Sequence, residues 1–183
     1  MMDPGEHPLN EQWRAGDTDF VMRVARWTDA ESYSAMHREL FEERVMAAPR
    51  NADPRMACEM ISKRLTDMAC GTGILLVVEA DGRIVAEGTL QRSNGDGSIT
   101  LGLLVLKAFR DRGIGRCLMV ALEDEARRLG KRRVDLTVWG VNDRAYHLYT
   151  SMGYREMGRF PDWNRSDLAP GGLSDHVWMI KDL

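Results

Sequence analysis

The stretch Leu101-Gly-Leu-Leu-Val-Leu-Lys-Ala-Phe-Arg110-Asp-Arg-Gly-Ile-Gly-Arg-Cys-Leu118 changes character twice within a few residues. Ile99, Leu101, Leu103 and Val105 read as a strand buried on at least one face. A short basic segment with Lys107, Arg110 and Arg112 follows, and Gly113 and Gly115 then open a long amphipathic helix. A strand, a glycine turn and a helix N-terminus in that order make an anion site. The first helical N–H groups have no partner inside the helix, the macrodipole places partial positive charge there, and glycines let a phosphate approach the backbone.

The motif narrows the phosphate ligand by exclusion. A P-loop requires Lys-Ser or Lys-Thr after its glycines, and none follows here. A dinucleotide fingerprint requires a third glycine near the first strand of a βαβ unit; Leu118 stands at that position, late in the chain. What remains is Arg110-x-x-Gly113-x-Gly115 after a hydrophobic strand.

Composition sets outer bounds. The chain has 183 residues, 44% hydrophobic and 29% charged, with a net charge of −3. That is the balance of one soluble globular domain, with no global attraction to nucleic acid or anionic membrane. The basic cluster Arg127, Arg128, Lys131, Arg132 and Arg133 falls at a helix end, where cations complement the dipole. Cys58, Cys70 and Cys117 form no CxxC pair and fit free thiols in a reducing, cytoplasmic setting. The four histidines show no metal-ligand spacing, so no metal is expected. Residues 1–17 read as a loose polar arm and residues 18–183 as a single domain.

Within that domain, Phe20 to Arg26 alternates as a first strand. Thr28-Asp-Ala-Glu31 reads as a capping box opening a helix to about Val45, and Asp53-Pro54 opens a second. Ile74–Glu79 and Ile84–Gln91 flank Asp81-Gly82 as a hairpin. Ser93–Gly97 turns into the strand Ser98–Leu106. The helix after the glycine loop ends at Gly130, Val134–Val138 forms another strand, and Asn142 caps a short helix with Ala145, Leu148, Tyr149 and Met152 inward. Tyr154–Gly158 and His176–Lys181 are the last strands, around a long loop from Arg159 to Ser174. This mixed α/β order, with antiparallel hairpins in the middle, excludes a doubly wound parallel sheet.

Two separated segments then agree. Arg110-x-x-Gly113-x-Gly115 resembles the pyrophosphate loop of the GNAT superfamily of acetyl-CoA-dependent N-acetyltransferases. Asn142-Asp-Arg-Ala145-Tyr-His-Leu148-Tyr149, with Met152-Gly-Tyr154, is similar to that superfamily's Asn-x-x-Ala-x-x-Leu-Tyr-x-x-x-Gly-Phe segment. The resemblance covers about Asp19 to Leu183. It implies a central mixed, mostly antiparallel sheet of about six to seven strands flanked by four helices.

The resemblance also implies roles. Backbone groups around Leu103, Leu104 and Val105 would bond the pantetheine arm, and the Arg110 to Arg116 segment (Arg110, Arg112, Gly113, Ile114, Gly115, Arg116) would hold the pyrophosphate. Asn142, Ala145 and Tyr149 would face the cofactor, acetyl-CoA. Tyr149 matches the general-acid position, and a phenol can protonate a departing thiolate. Many relatives carry an acid near the position of Thr100; here Glu87, on the neighbouring strand, is the best remaining carboxylate, and a water chain would need none.

The acceptor site is expected between Glu42–Pro54 and the loop after Gly158. There Glu42, Glu43, Asp162, Asp167 and Asp175 would attract a cationic amine, and Phe160 and Trp163 would pack its body. The expected activity is direct acetyl transfer to a primary amine of a small molecule, in an assembly for which a homodimer is one option. The other readings are an acyl-CoA-binding module without catalysis and an enzyme acting on a protein N-terminus or lysine.

Overall fold

The computed structural model describes residues 9–43, 53–93, 95 and 97–183. One eight-stranded sheet runs in the order β1-β2-β3-β4-β5-β6-β8-β7. Its strands are β1 (Asn10–Ala15), β2 (Thr18–Val24), β3 (Ile74–Ala80), β4 (Arg83–Arg92), β5 (Ser98–Val105), β6 (Arg133–Trp139), β7 (Arg155–Arg165) and β8 (Leu173–Asp182). Four helices complete it: α1 (Ala30–Glu43), α2 (Pro54–Ala69), α3 (Ile114–Arg128) and α4 (Asp143–Ser151). All neighbouring strands pair antiparallel except β5 and β6.

The two faces are assigned by contacts. A Cβ on Gly88 would lie 2.8 Å from Leu122 and 3.1 Å from Leu118, so Gly88 and the positions in step with it face α3. Glu87 points the other way, to His37 of α1. The buried core includes Phe20, Leu76, Val78, Leu90, Ile99, Leu118, Leu122 and Val134.

Several boundaries depart from the sequence reading. Residues 10–15, expected within a loose arm, form β1 along β2, with Trp13 stacked on Phe20 at 5.4 Å. The first helix starts two residues after Thr28, behind a 3-10 turn over Trp27–Asp29. The Asp29 carboxylate accepts the Arg26 N–H at 2.7 Å and so closes that turn. The sheet has eight strands rather than six or seven. The long loop from Arg159 to Ser174 is mostly strand: β7 continues to Arg165, leaving residues 166–172 as the connection. Pro161 is tolerated there because β7 is an edge strand whose outer N–H groups need no partner. Expectations that involve Val45, most of Glu42–Pro54, Asn94 or Asp96 lie outside the described residues.

Other signals hold. Asp53 Oδ1 accepts from Met56 N at 2.8 Å, so α2 begins with its cap and Pro54 in the first turn. Asp81 and Gly82 both have positive φ (51° and 73°), the conformation of a two-residue hairpin turn.

One buried ion cluster ties β2 to the start of α1. Arg23 donates to both oxygens of Asp29 at 2.8 Å and to Glu79 at 2.9 Å, and Asp29 is 7% exposed. Removing one partner strands the other's charge in a low dielectric, which costs about 3–5 kcal/mol. Asp29→Ala should therefore lower unfolding free energy by about that amount in urea titration. A loss under about 1 kcal/mol would mean that water solvates Arg23 freely.

Candidate functional site

The site is built on a parting of two strands. β5 and β6 share only the pairs Ser98↔Arg133, Ile99↔Val134 and Thr100↔Asp135. Past Thr100 they diverge, while β5 stays paired to β4 and β6 to β8. Leu106 N–H donates to Val85 C=O at 3.0 Å. By alternation, Leu104 and Gly102 also turn their backbone groups to β4, whereas Leu103 and Val105 turn theirs into the gap. The Val105 carbonyl accepts from Arg110 Nε at 2.9 Å. A row of backbone donors and acceptors at the gap without strand partners is a template for another extended chain.

At the wide end of the gap stands the N-terminus of α3. Gly113, its first flanking residue, has φ +81°, a left-handed conformation suited to glycine, and makes no side-chain cap. Cys117 N is the first amide bonded back, to Gly113 O at 3.0 Å. The amides of Ile114, Gly115 and Arg116 are thereby left for an anion. Gly115 matters for a different reason: a Cβ there would sit 3.0 Å from Leu148 and 3.6 Å from Leu103. Only a small residue lets α4 and β5 close on the helix start.

The resulting cleft measures about 500 Å³. Leu103 and Val105 of β5 form one wall, the Phe109–Arg116 segment a second, and the first two turns of α4 from Asn142 to Tyr149 a third. Tyr149 is 6% exposed, and burial pushes its phenol up to about 12. Asn142 caps α4 through Oδ1 to Ala145 N at 3.2 Å, so it shapes the wall through the helix it starts. Arg144 reaches across the mouth to Asp111 at 2.9 Å, and Arg116 donates to Ser151 at 2.8 Å.

Not every expected residue is aimed at this cleft. Arg110 lines it, but its guanidinium is held by Glu43 as well as by Val105. Glu43 also accepts the Lys107 N–H at 2.9 Å, so Arg110 fixes the loop's shape and is not a free cation. Arg112 turns to Thr18 at 3.0 Å and does not line the cleft. Leu104 directs its backbone to β4. Glu87 lies on the far face beneath α1, 6% exposed, with Oε2 3.1 Å from His37 Nε2. Arg144, missed as a cation, sits inside the Asn142–Tyr149 segment; its place in the first turn of α4 was the available signal.

The acceptor residues expected from the sequence divide similarly. Glu42 and Glu43 adjoin Leu168 in a second hollow next to Arg110, but Glu43 is engaged there. Asp175 is taken by Arg159 at 3.0 Å. Phe160 and Trp163 contact each other at 5.6 Å between ring centres. Trp163 lies 6.4 Å from His176, and Trp178 shares that face through the register Thr137↔Trp178. Phe160, Trp163 and Trp178 are 48%, 67% and 42% exposed.

Comparison with known proteins places this geometry. A family model for the acetyltransferase (GNAT) domain matches residues 71–156, from the start of β3 through the cleft to β7. The chain is 40% identical over 48 residues to an uncharacterized N-acetyltransferase of Bacillus subtilis, YdgE, a segment that is 26% of this chain and spans 31% of that relative's length. A GNAT-family acetyltransferase from Streptococcus pneumoniae superposes with a TM-score of 0.77 at 19% identity, over 90% of this chain and 99% of that one. Salmonella typhimurium yncA, a putative acetyltransferase solved with its cofactor acetyl-CoA, gives 0.72 at 22% identity, over 90% and 94%. Residues 71–156 thus match the model of the GNAT acetyltransferase domain, and the fold around them is that of the GNAT-family structures.

Proposed function

We propose that this chain is an acetyl-CoA-dependent N-acetyltransferase that acts by direct transfer to the primary amine of a small molecule, with both substrates bound together. The observation that carries the reading is the continuity of the cleft. Uncapped α3 amides, β5 backbone without a strand partner and a buried phenol line one cleft, the groups that a pyrophosphate, a pantetheine arm and a thioester require. The acetyl-CoA held by the Salmonella relative supports the same co-substrate. When bound, it supplies an electrophilic thioester carbonyl and a thiolate leaving group.

The chain's residues then have definite tasks. The amides of Ile114, Gly115 and Arg116 hold the pyrophosphate, with Arg116 and Arg144 as the nearby cations. The Leu103 and Val105 backbone orders the pantetheine arm. Tyr149 donates its proton to the departing sulfur; with its pKa near 12 the phenol stays protonated at neutral pH. Burial raises the Cys117 thiol, and that residue does not line the cleft, which favours direct transfer over a cysteine relay. The acceptor approaches from the face opposite α3, where Phe160, Trp163 and Trp178 offer an aromatic platform. Because Glu43 and Asp175 are already paired with arginines, the platform favours an amine with a flat apolar body over a polycation.

Calorimetric titration should show micromolar acetyl-CoA binding and none of ATP or NAD. Gly115→Glu should weaken that binding at least about a hundredfold, because its side chain would meet Leu148 and Leu103 and force α4 and β5 away from the helix start. Unchanged affinity in this variant would remove the loop from the site.

Tyr149→Phe should keep acetyl-CoA affinity and lower turnover about ten- to a thousandfold, followed by thiol release across an amine panel. Because the phenol ionises only near pH 12, turnover should show no falling limb from Tyr149 between about pH 7 and 10. A falling limb in that window that is lost in Tyr149→Phe would contradict the buried, protonated phenol.

A further inference from the structure

We infer that Asp135 takes the proton from the acceptor amine and that Thr100 positions its carboxylate; the inference rests on the acetyl-transfer reading above. These residues face each other in the last pair that β5 and β6 share, at the narrow end of the gap. Thr100 Oγ1 donates to Asp135 Oδ2 at 2.9 Å. The other oxygen, Oδ1, is buried and has no hydrogen-bond partner among the described residues, in a residue only 8% exposed.

A buried carboxylate oxygen with no donor is costly, and asparagine or an apolar residue would avoid the cost. Its retention makes sense if a donor arrives in the working state. The placement says which donor. Leu103 faces α3, as its contact with the Gly115 position shows. Thr100 is out of step with Leu103 and faces the opposite side, with Asp135 beside it. Asp135 therefore stands on the acceptor face, where the gap that leads down from the cleft closes.

Among the described residues no cation is paired with it. From β5 and β8 the residues opposite are Thr100 and Ile180, neither titratable. Arg133 of β6 and Arg155 of β7 share the face, and both are tied to Asp182 of β8, at 2.8 and 3.3 Å. Glu87 of β4 is held with His37 of α1.

The proton count closes. The acceptor enters as an ammonium with three N–H bonds. Asp135 Oδ1 accepts one proton, directly or through one water, and releases it to solvent. The freed lone pair forms the C–N bond to the thioester carbonyl carbon; the C–S bond breaks with its electron pair on sulfur. Tyr149 gives its proton to that sulfur and is restored by the second amine proton. The third stays on the amide nitrogen, and one proton is released per turnover.

The test compares wild type with Asp135→Asn, Thr100→Val and Glu87→Gln. Asp135→Asn should lower kcat at neutral pH about 10²–10³-fold, with recovery as pH rises toward the amine's own pKa. Its acetyl-CoA affinity by calorimetry should stay within about twofold, and its Tm should hold or rise because an unpaired buried charge is gone. Thr100→Val removes a hydrogen bond to the charged form, so the acidic limb of kcat/KM should move up by about one pH unit. A wild-type kcat and limb in Asp135→Asn, a sharp fall in its Tm, or a limb lost in Glu87→Gln instead would overturn the assignment. Failure of wild type to bind acetyl-CoA would defeat the underlying reading, a separate result.

Discussion

Backbone hydrogen bonding across one strand boundary organises the rest of this structure. Three register pairs hold β5 to β6, and then the strands part while each keeps its outer partner. A sheet interior seldom leaves N–H and C=O groups of consecutive alternate residues unpaired, since each costs free energy comparable to a lost hydrogen bond. Here Leu103 and Val105 present theirs to the gap, with the Val105 carbonyl taken by Arg110. The glycine loop, the start of α3 and the wall of α4 all cluster at its open end. The orphaned carboxylate of Asp135 lies at the closed end.

Charge placement around the gap is economical. Arg110, which sequence reading assigns to phosphate, instead bridges Glu43 at the end of α1 to the last carbonyl of β5. That fixes the conformation of the loop, so the α3 amides need not be ordered by the ligand. The cations left near the mouth, Arg116 and Arg144, are engaged by a serine hydroxyl and by the exposed Asp111, partners that a pyrophosphate can displace. The macrodipole and the unpaired amides supply the rest of the attraction.

The sequence made most of this legible because its signals were local. Gly113 and Gly115 after an apolar strand marked the anion site, Asn142 marked α4, Asp53-Pro54 marked α2, and Asp81-Gly82 marked the hairpin. What escaped was non-local. Arg110's partner lies 67 residues away, on α1, and Glu87 looked available until His37 was seen over it. Asp135, alternating with Val134 and Leu136, reads as an outward residue of a half-buried strand. Its burial depends on its register with Thr100, which sequence spacing does not encode. The part of edge strand β7 past Gly158 hid for a different reason. It is exposed along most of its length, so it shows neither the period-2 pattern nor the absence of proline that identify inner strands.

The parting of β5 from β6 is the central claim, and amide hydrogen exchange reads it directly. With acetyl-CoA added, the amides of Leu103 and Val105 should gain protection together with Ile114, Gly115 and Arg116, while Gly102 and Leu104, already bonded to β4, change little. Protection spread evenly along β5, or confined to residues outside the gap and the start of α3, would contradict a cofactor arm docked along the gap.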